Sequence, residues 1–403
     1  MTLFQCVLRH LRQAPTASLV TMAGIAVAVS LLLTVWVVRA EVEQTFVRAT
    51  GDFDAVLGPR SAPLQLVLNA LFHLENWPGT MPMEDYEDLA DHPAVRHAIP
   101  LAGGDNYRGF RIVGTVPELF TRVEWREGQP FRLQAGGRVF DPALQEAVIG
   151  SFVAQRLQLQ PGDIFHPYHG LVFDPAQRHR EEYVVVGVLE PTNTPFDRVL
   201  WIPLKGIQHM SGHDPALADR ISAVLVQFHD DARAAGHRLN ILYNRQGDRL
   251  TLAWPVPLIV SQFISRFTWV LTILTLLAWM ITLVALTSIS VALYHAMESR
   301  REEIAVFRAL GARKRTIVSM VTLEALILSG LGFLLGWAGS FGLRAVMSRL
   351  LREETGVVLQ STTLHPSLWW GALLILGLGA LAGLIPGLKA YRTSTARLLQ
   401  EKH

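Results

Sequence analysis

A membrane α-helical protein with four transmembrane helices and one large extracytoplasmic α+β domain is the fold class predicted here. Three observations predict it. Four runs of the chain are apolar for about 18 residues or more, the length needed to cross a bilayer. Arginine and lysine cluster beside alternate ends of those runs. Between the first two runs lies a long block of short β-branched segments separated by turn residues. Composition agrees: of 403 residues, 50% are hydrophobic and 17% charged, against about 25% charged in an average soluble domain. The net charge of +2 is too small to indicate a nucleic-acid partner. A single cysteine, Cys6, excludes an intramolecular disulfide, so an external domain must rely on its own core.

The first span is residues 17–38, "ASLVTMAGIAVAVSLLLTVWVV", without a charge. Arg9 and Arg12 precede it, and Val38-Arg39-Ala40 resembles a signal-peptidase site. At about 22 residues, however, the run exceeds the 7–15 of a signal h-region and reads as a retained helix. The second span is 267–293 and the third 317–343, interrupted only by Glu324; the fourth is 368–388. Basic residues precede span one, fill 294–316 between spans two and three, and follow span four from Lys389. The positive-inside rule therefore puts 1–16, 294–316 and 389–403 in the cytoplasm. Residues 39–266 become the external domain, with membrane-proximal stalk ends, and 344–367 a short external loop.

Within the external domain, strands are expected at 110–116, 146–150, 183–189, 198–204 and 222–228, and helices at 82–93 and 151–159. The segment 62–74, "APLQLVLNALFHL", is helix-like but too short to span. It can pack inside the domain, lie on the membrane surface or face a partner. Ten of the fourteen histidines fall in this domain. His166 and His169 share the turn-like "HPYHG"; His209 and His213 have the i, i+4 spacing of paired metal ligands. No glutamate completes an H-E-x-x-H pattern, so these are read as solvated loop histidines, with no metal and no cofactor assigned. No nucleophile–histidine–acid arrangement marks a catalytic residue.

In the membrane, Gly332 and Gly336 of span three and Gly379 and Gly383 of span four are spaced four apart. Such ridges let helices approach closely, either within the chain or across a dimer seam. Glu324 is a costly residue inside a span and has two readings, a helix-packing hydrogen bond or a mechanistic role. The stretch "ESRREEIAVFRALGARKRTI", 298–317, carries nine charges between two greasy runs. Ile304, Phe307 and Leu310 make a narrow apolar stripe, Arg301, Glu302 and Arg308 lie mainly opposite, and Gly311 is placed to end the helix. By periodicity alone this is an interfacial helix whose arginines meet anionic lipid heads.

No G-x-x-x-x-G-K-[ST] phosphate loop occurs in the sequence, so ATP hydrolysis is not expected of this chain. Yet "MESRREEIAVFRALGARKRTIVSMVTLEALILSGLGFLLGWAGS", 297–340, closely resembles the FtsX-like permease family of ABC transporters, the mechanotransmission (type VII) class with MacB-like architecture. Residues 147–165 and 181–204 are similar to the external domain of the same family, whereas the segment 57–79 falls outside the likeness. The resemblance implies an external domain of MacB-like periplasmic type and location in a bacterial inner (plasma) membrane with both termini cytoplasmic. It also implies a separate cytoplasmic ABC ATPase docked on Arg301–Gly311, and a second permease chain forming a homodimer or a pair of related chains. Room is left for a periplasmic or outer-membrane partner. The work done would be export, extraction or switching of a substrate outside the membrane. A non-transport receptor whose external domain binds a ligand is the alternative, but about 20 residues between spans two and three are too few for a cytoplasmic output domain.

Overall fold

The computed structural model describes residues 5, 7, 9, 11–12, 15–74, 76–126, 128–230, 233–299, 306, 312–358 and 367–392. The chain divides into two compact units, one of Met1–Glu41, Phe267–Met347 and Gln360–His403, the other of Val42–Arg266 with Ser348–Leu359.

The second unit is built on a mixed β-sheet. In chain order the strands are β1 Ala55–Pro59, β2 Met81–Pro82, β3 Val95–Tyr107, β4 Phe110–Thr115, β5 Glu124–Arg126, β6 Gln129–Pro130 and β7 Glu146–Ile149. They continue with β8 Ile164–Phe165, β9 Tyr168–His169, β10 Tyr183–Val188, β11 Val199–Pro203, β12 Arg220–Ile221, β13 Ala223–Phe228 and β14 Leu250–Ala253. Ten of them form one sheet in the order β14-β1-β13-β3-β4-β11-β7-β10-β8, with β9 added alongside β3. Two pairings, β10 with β7 and β11 with β4, are parallel; the rest are antiparallel.

Every residue of β7, β11, β13 and β14 is buried, because both faces of the sheet are covered. Val199, Trp201, Ala223 and Leu225 join a core on one face; Leu200, Ile202, Val224 and Val226 join a core on the other. The period-2 alternation of side chains is thereby hidden in runs that are apolar apart from Glu146, Gln227 and Thr251. All five expected strands appear within a residue or two of their anticipated ends. The turn between β3 and β4 is two residues long, and Arg108 (φ +49°) and Gly109 (φ +87°) both adopt positive φ, as a type I′ hairpin requires.

The segment 62–74 forms the helix Pro63–Ala70, which starts on a proline. Leu66, Val67 and Ala70 are fully buried in the same core as Trp201, so of its three readings the one inside the domain is the one found. Just beyond it, His73 lies edge-on to Phe196 and Trp201, 6.2 and 5.6 Å between ring centres, and its Nε2 is buried without a partner. Burial first, and then the charges of Arg111 and Arg198, lower its pKa from 6.5 to about 3. The unfolded chain takes up this proton below pH 6.5 and the folded chain resists until near 3, so acidification favours unfolding. His73→Phe is expected to remove roughly 2 kcal/mol of the stability lost between pH 7 and pH 5. Urea-dependent proteolysis of the full chain at the two pH values checks this; an unchanged pH difference would count against it.

The first unit is helical. Pro15–Arg48, Thr268–Ser299 and Arg315–Thr355 are long and apolar enough to cross a membrane. The helix expected as span four is present as Ser367–Arg392, but its described apolar stretch, Trp369–Ile385, is shorter. Residues of all four helices, among them Ile25, Val29, Ile289, Ala325 and Ile375, share one core. Ser290 Oγ donates to the carbonyl of Ala382 (3.0 Å), tying the second helix to the last.

Candidate metal centre and membrane seams

The strongest convergence of chemistry-bearing side chains begins at an irregularity in β3. Pairing with β4 shifts register between Gly103 and Asp105, a bulge that inserts an extra residue and re-aims the side chain that follows. Asp105 is fully buried and stands opposite His169 in the β3–β9 ladder. Its Oδ1 lies 3.2 Å from His213 Nε2, 3.3 Å from His179 Nε2 and 3.5 Å from His169 Nδ1. The three imidazoles pack edge-to-face around it, with ring centres 5.1 to 5.5 Å apart. His179 and His213 are largely buried, and His169 is about half exposed.

Two loops deliver the histidines. His179 follows the short 3-10 turn Pro175–Gln177, and its backbone N–H donates to Pro167 O. His213 lies beyond the helix Leu204–Gln208, next to Gly212, whose φ of +88° turns the loop back. Glu181 links the two loops by accepting from the N–H and hydroxyl of Ser211 at 2.8 and 2.7 Å. Burial alone would raise the Glu181 pKa, but those donors outweigh it and hold the carboxylate below its usual range. Burial likewise opposes ionisation of Asp105, yet the facing histidines leave its pKa lowered. For His213 the Asp105 hydrogen bond raises the pKa; for His179 burial pushes down but Asp105 prevails and the pKa is raised.

The histidine pairs expected from spacing are thus split. His169 and His213 converge with His179 and Asp105, and His213 is a buried group rather than a solvated loop residue. His209 is exposed at the end of the Leu204–Gln208 helix and takes no part. The i, i+4 relation fails because that helix stops before either residue. His166 turns elsewhere, to Arg178, Glu182 and the carbonyl of Glu181. Asp105 and His179 were missed in the sequence, and no local spacing could have found them. The four residues come from positions 105, 169, 179 and 213 and meet through the β3–β9 pairing and the Glu181 bridge.

The membrane residues are placed as follows. A Cβ on Gly332 would stand 2.7 Å from Ile25 Cβ, and one on Gly336 would stand 2.6 Å from the carbonyl oxygen of Ala26. On the last helix, Gly379 abuts Ser329 and Gly383 abuts Ala325. Both glycine pairs pack closely against other helices of the same chain. Glu324 is buried and is not without an interaction partner. Arg301, Glu302, Ile304, Phe307, Arg308, Leu310 and Gly311 lie outside the described residues.

The chain thus combines a set of long apolar helices with a mixed-sheet α+β domain inserted in the sequence between the first two of them. Residues 18–238, over half of the chain, match the MacB-like periplasmic core domain, and residues 275–395 match the FtsX-like permease C-terminal region. The chain belongs to this FtsX/MacB-like family of ABC-transporter permeases. Among solved structures, the periplasmic region of MacB from Actinobacillus actinomycetemcomitans is similar at 14% identity and a TM-score of 0.35, covering 55% of this chain and 95% of that one. The extracellular domain of the ABC-type transporter YknZ from Gram-positive bacteria is similar at 16% identity and TM-score 0.31, with coverages of 49% and 99%. A permease-protein domain from Porphyromonas gingivalis is similar at 13% identity and TM-score 0.27, covering 50% and 88%. No curated protein is a recognisable sequence relative of this chain.

Proposed function

We propose that this chain is the membrane subunit of a mechanotransmission ABC complex in a bacterial inner membrane. A separate cytoplasmic ATPase hydrolyses ATP, and the chain converts the ATPase cycle into movement of the external domain, which does its work on a substrate outside the membrane. The carrying observation is the FtsX-like match over 275–395, which includes the charged segment 294–316, in a chain whose sequence holds no phosphate loop of its own. In this reading four spans cross the bilayer, at 17–38, 267–293, 317–343 and 368–388, with both termini cytoplasmic, and two copies assemble around the ATPase pair.

Ile304, Phe307 and Leu310 anchor the ATPase through an apolar stripe, Arg301, Glu302 and Arg308 set its register, and Gly311 ends the docking helix. A buried apolar anchor at the centre of an interface carries far more of the binding than rim charges do. Phe307→Asp combined with Leu310→Asp is therefore expected to lower co-purified ATPase about tenfold or more, while Arg308→Ala lowers it modestly and in a salt-dependent way. ATPase recovery undiminished by the double aspartate variant would remove the docking assignment.

A further inference from the structure

We propose that Asp105, His169, His179 and His213 constitute a zinc site in the external domain, with three imidazole nitrogens and one carboxylate oxygen as ligands. His179 Nδ1 lies 2.6 Å from the carbonyl oxygen of Ser211, and His213 Nδ1 lies 2.9 Å from that of Ile207. A carbonyl only accepts, so both Nδ1 atoms carry hydrogen. In the neutral rings each Nε2 then presents a lone pair, and both lone pairs point at the same oxygen of Asp105. Without an ion these contacts are favourable only if the rings take up a proton on Nε2, which places two imidazolium charges against one buried carboxylate; a cation among the lone pairs makes every one of them favourable with the rings neutral. The arrangement, a ring N–H given to a backbone carbonyl and the opposite nitrogen turned inward, is the outer-shell pattern that orients metal-bound histidine.

Distances agree with this assignment. Bonds of about 2.05 Å at tetrahedral angles place neighbouring ligand atoms about 3.3 Å apart. The three separations from Asp105 Oδ1 are 3.2, 3.3 and 3.5 Å, and all four ligand atoms lie within 4.8 Å of one another. Asp105 Oδ2 is a second, independent sign: it is buried with no hydrogen-bond partner, an expensive condition for a carboxylate held only by protein. The ligand set narrows the choice of metal. Three imidazoles with one carboxylate suit zinc, whereas calcium and magnesium require shells made of oxygen. Four protein ligands leave no open position, so the ion ties β3, β9 and the loop before β12 together rather than activating water. His169, about half exposed, gives the ion a route in and out.

The test uses full-length protein in detergent, carrying no polyhistidine tag and stripped with EDTA, titrated with Zn2+ against a chromophoric chelator and with Co2+ as a spectroscopic probe. One Zn2+ per chain and the intense visible bands of four-coordinate Co2+ are expected, together with a rise in melting temperature on Zn2+ addition. His179→Ala and His213→Ala should each weaken Zn2+ binding about tenfold or more, while His166→Ala and His209→Ala bind as the native chain does. Where an interior variant fails to fold, His169→Ala, at an exposed ligand, gives the same reading. Absence of stoichiometric Zn2+ uptake by the native chain, or ligand variants that bind as tightly as it does, would overturn the site. Mg2+ displacing Zn2+ at equal concentration would overturn the choice of metal.

Discussion

Trp201→Ala is expected to destabilise the β unit by about 3–5 kcal/mol, the range for removing a large aromatic side chain from a packed core. Trp201 is fully buried on β11 and stacks on Phe196 at 5.3 Å and 19°. It meets Phe120 and His73 edge-on at 6.0 and 5.6 Å, and its indole N–H points to Phe196 O. These rings come from three separate chain segments, around 73, 120 and 196–201, so no single backbone shift can fill the vacated space. A domain's net stability is about 5–15 kcal/mol, so this one truncation removes a large share of it. Brief proteolysis of the full-length chain in urea should show the unit's midpoint lowered by about 1 M or more. Trp201→Phe, which keeps a ring in place, should lose much less. Equal midpoints for Trp201→Ala and the native chain would mean that this aromatic cluster does not carry the stability of the β unit.

The same residue shows why part of this fold was legible. β11 and β13 are buried on both faces, so their sequences are apolar runs between turn residues, broken only by Gln227 in β13, a signal that survives without knowing which side is which. β3 carries no such signal. It is thirteen residues long, but Pro100, Gly103, Gly104 and Asp105 break its apolar pattern, and its bulge is the feature that serves the histidine cluster. The helix Pro63–Ala70 was visible as a helix while its surroundings were not, because amphipathic length says nothing of what the apolar face meets. The cluster itself was out of reach for a related reason. Spacing rules detect ligands on one helix or turn, and this set is assembled across 105 to 213 by strand pairing. A carboxylate in a Gly-Gly-Asp bulge reads as a turn until its partner strand is known.

In the membrane unit the reverse holds: the four-residue glycine spacing was plain in the sequence, and the structure adds which atoms face it. Gly383 lies where an added Cβ would be 2.6 Å from Ala325 Cβ, 3.1 Å from Thr322 Cα and 3.3 Å from Val321 O. Contacts this short force the helices apart, and Gly383→Ala is expected to cost about 1–3 kcal/mol of helix association. Without a hydrophobic drive between helices in lipid, such close approach supplies much of the attraction, so small separations have large effects. The nearest obstruction is one methyl group, and removing it should make room. Ala325→Gly introduced with Gly383→Ala moves the methyl from one helix to the other and should recover at least half of the loss. Thermal aggregation of the detergent-solubilised chain gives the comparison across native, single and double variants. If the double variant is no better than the sum of its parts, the contact is not the one that seats the last helix; recovery would identify the Gly383–Ala325 crossing as the point where that helix is held.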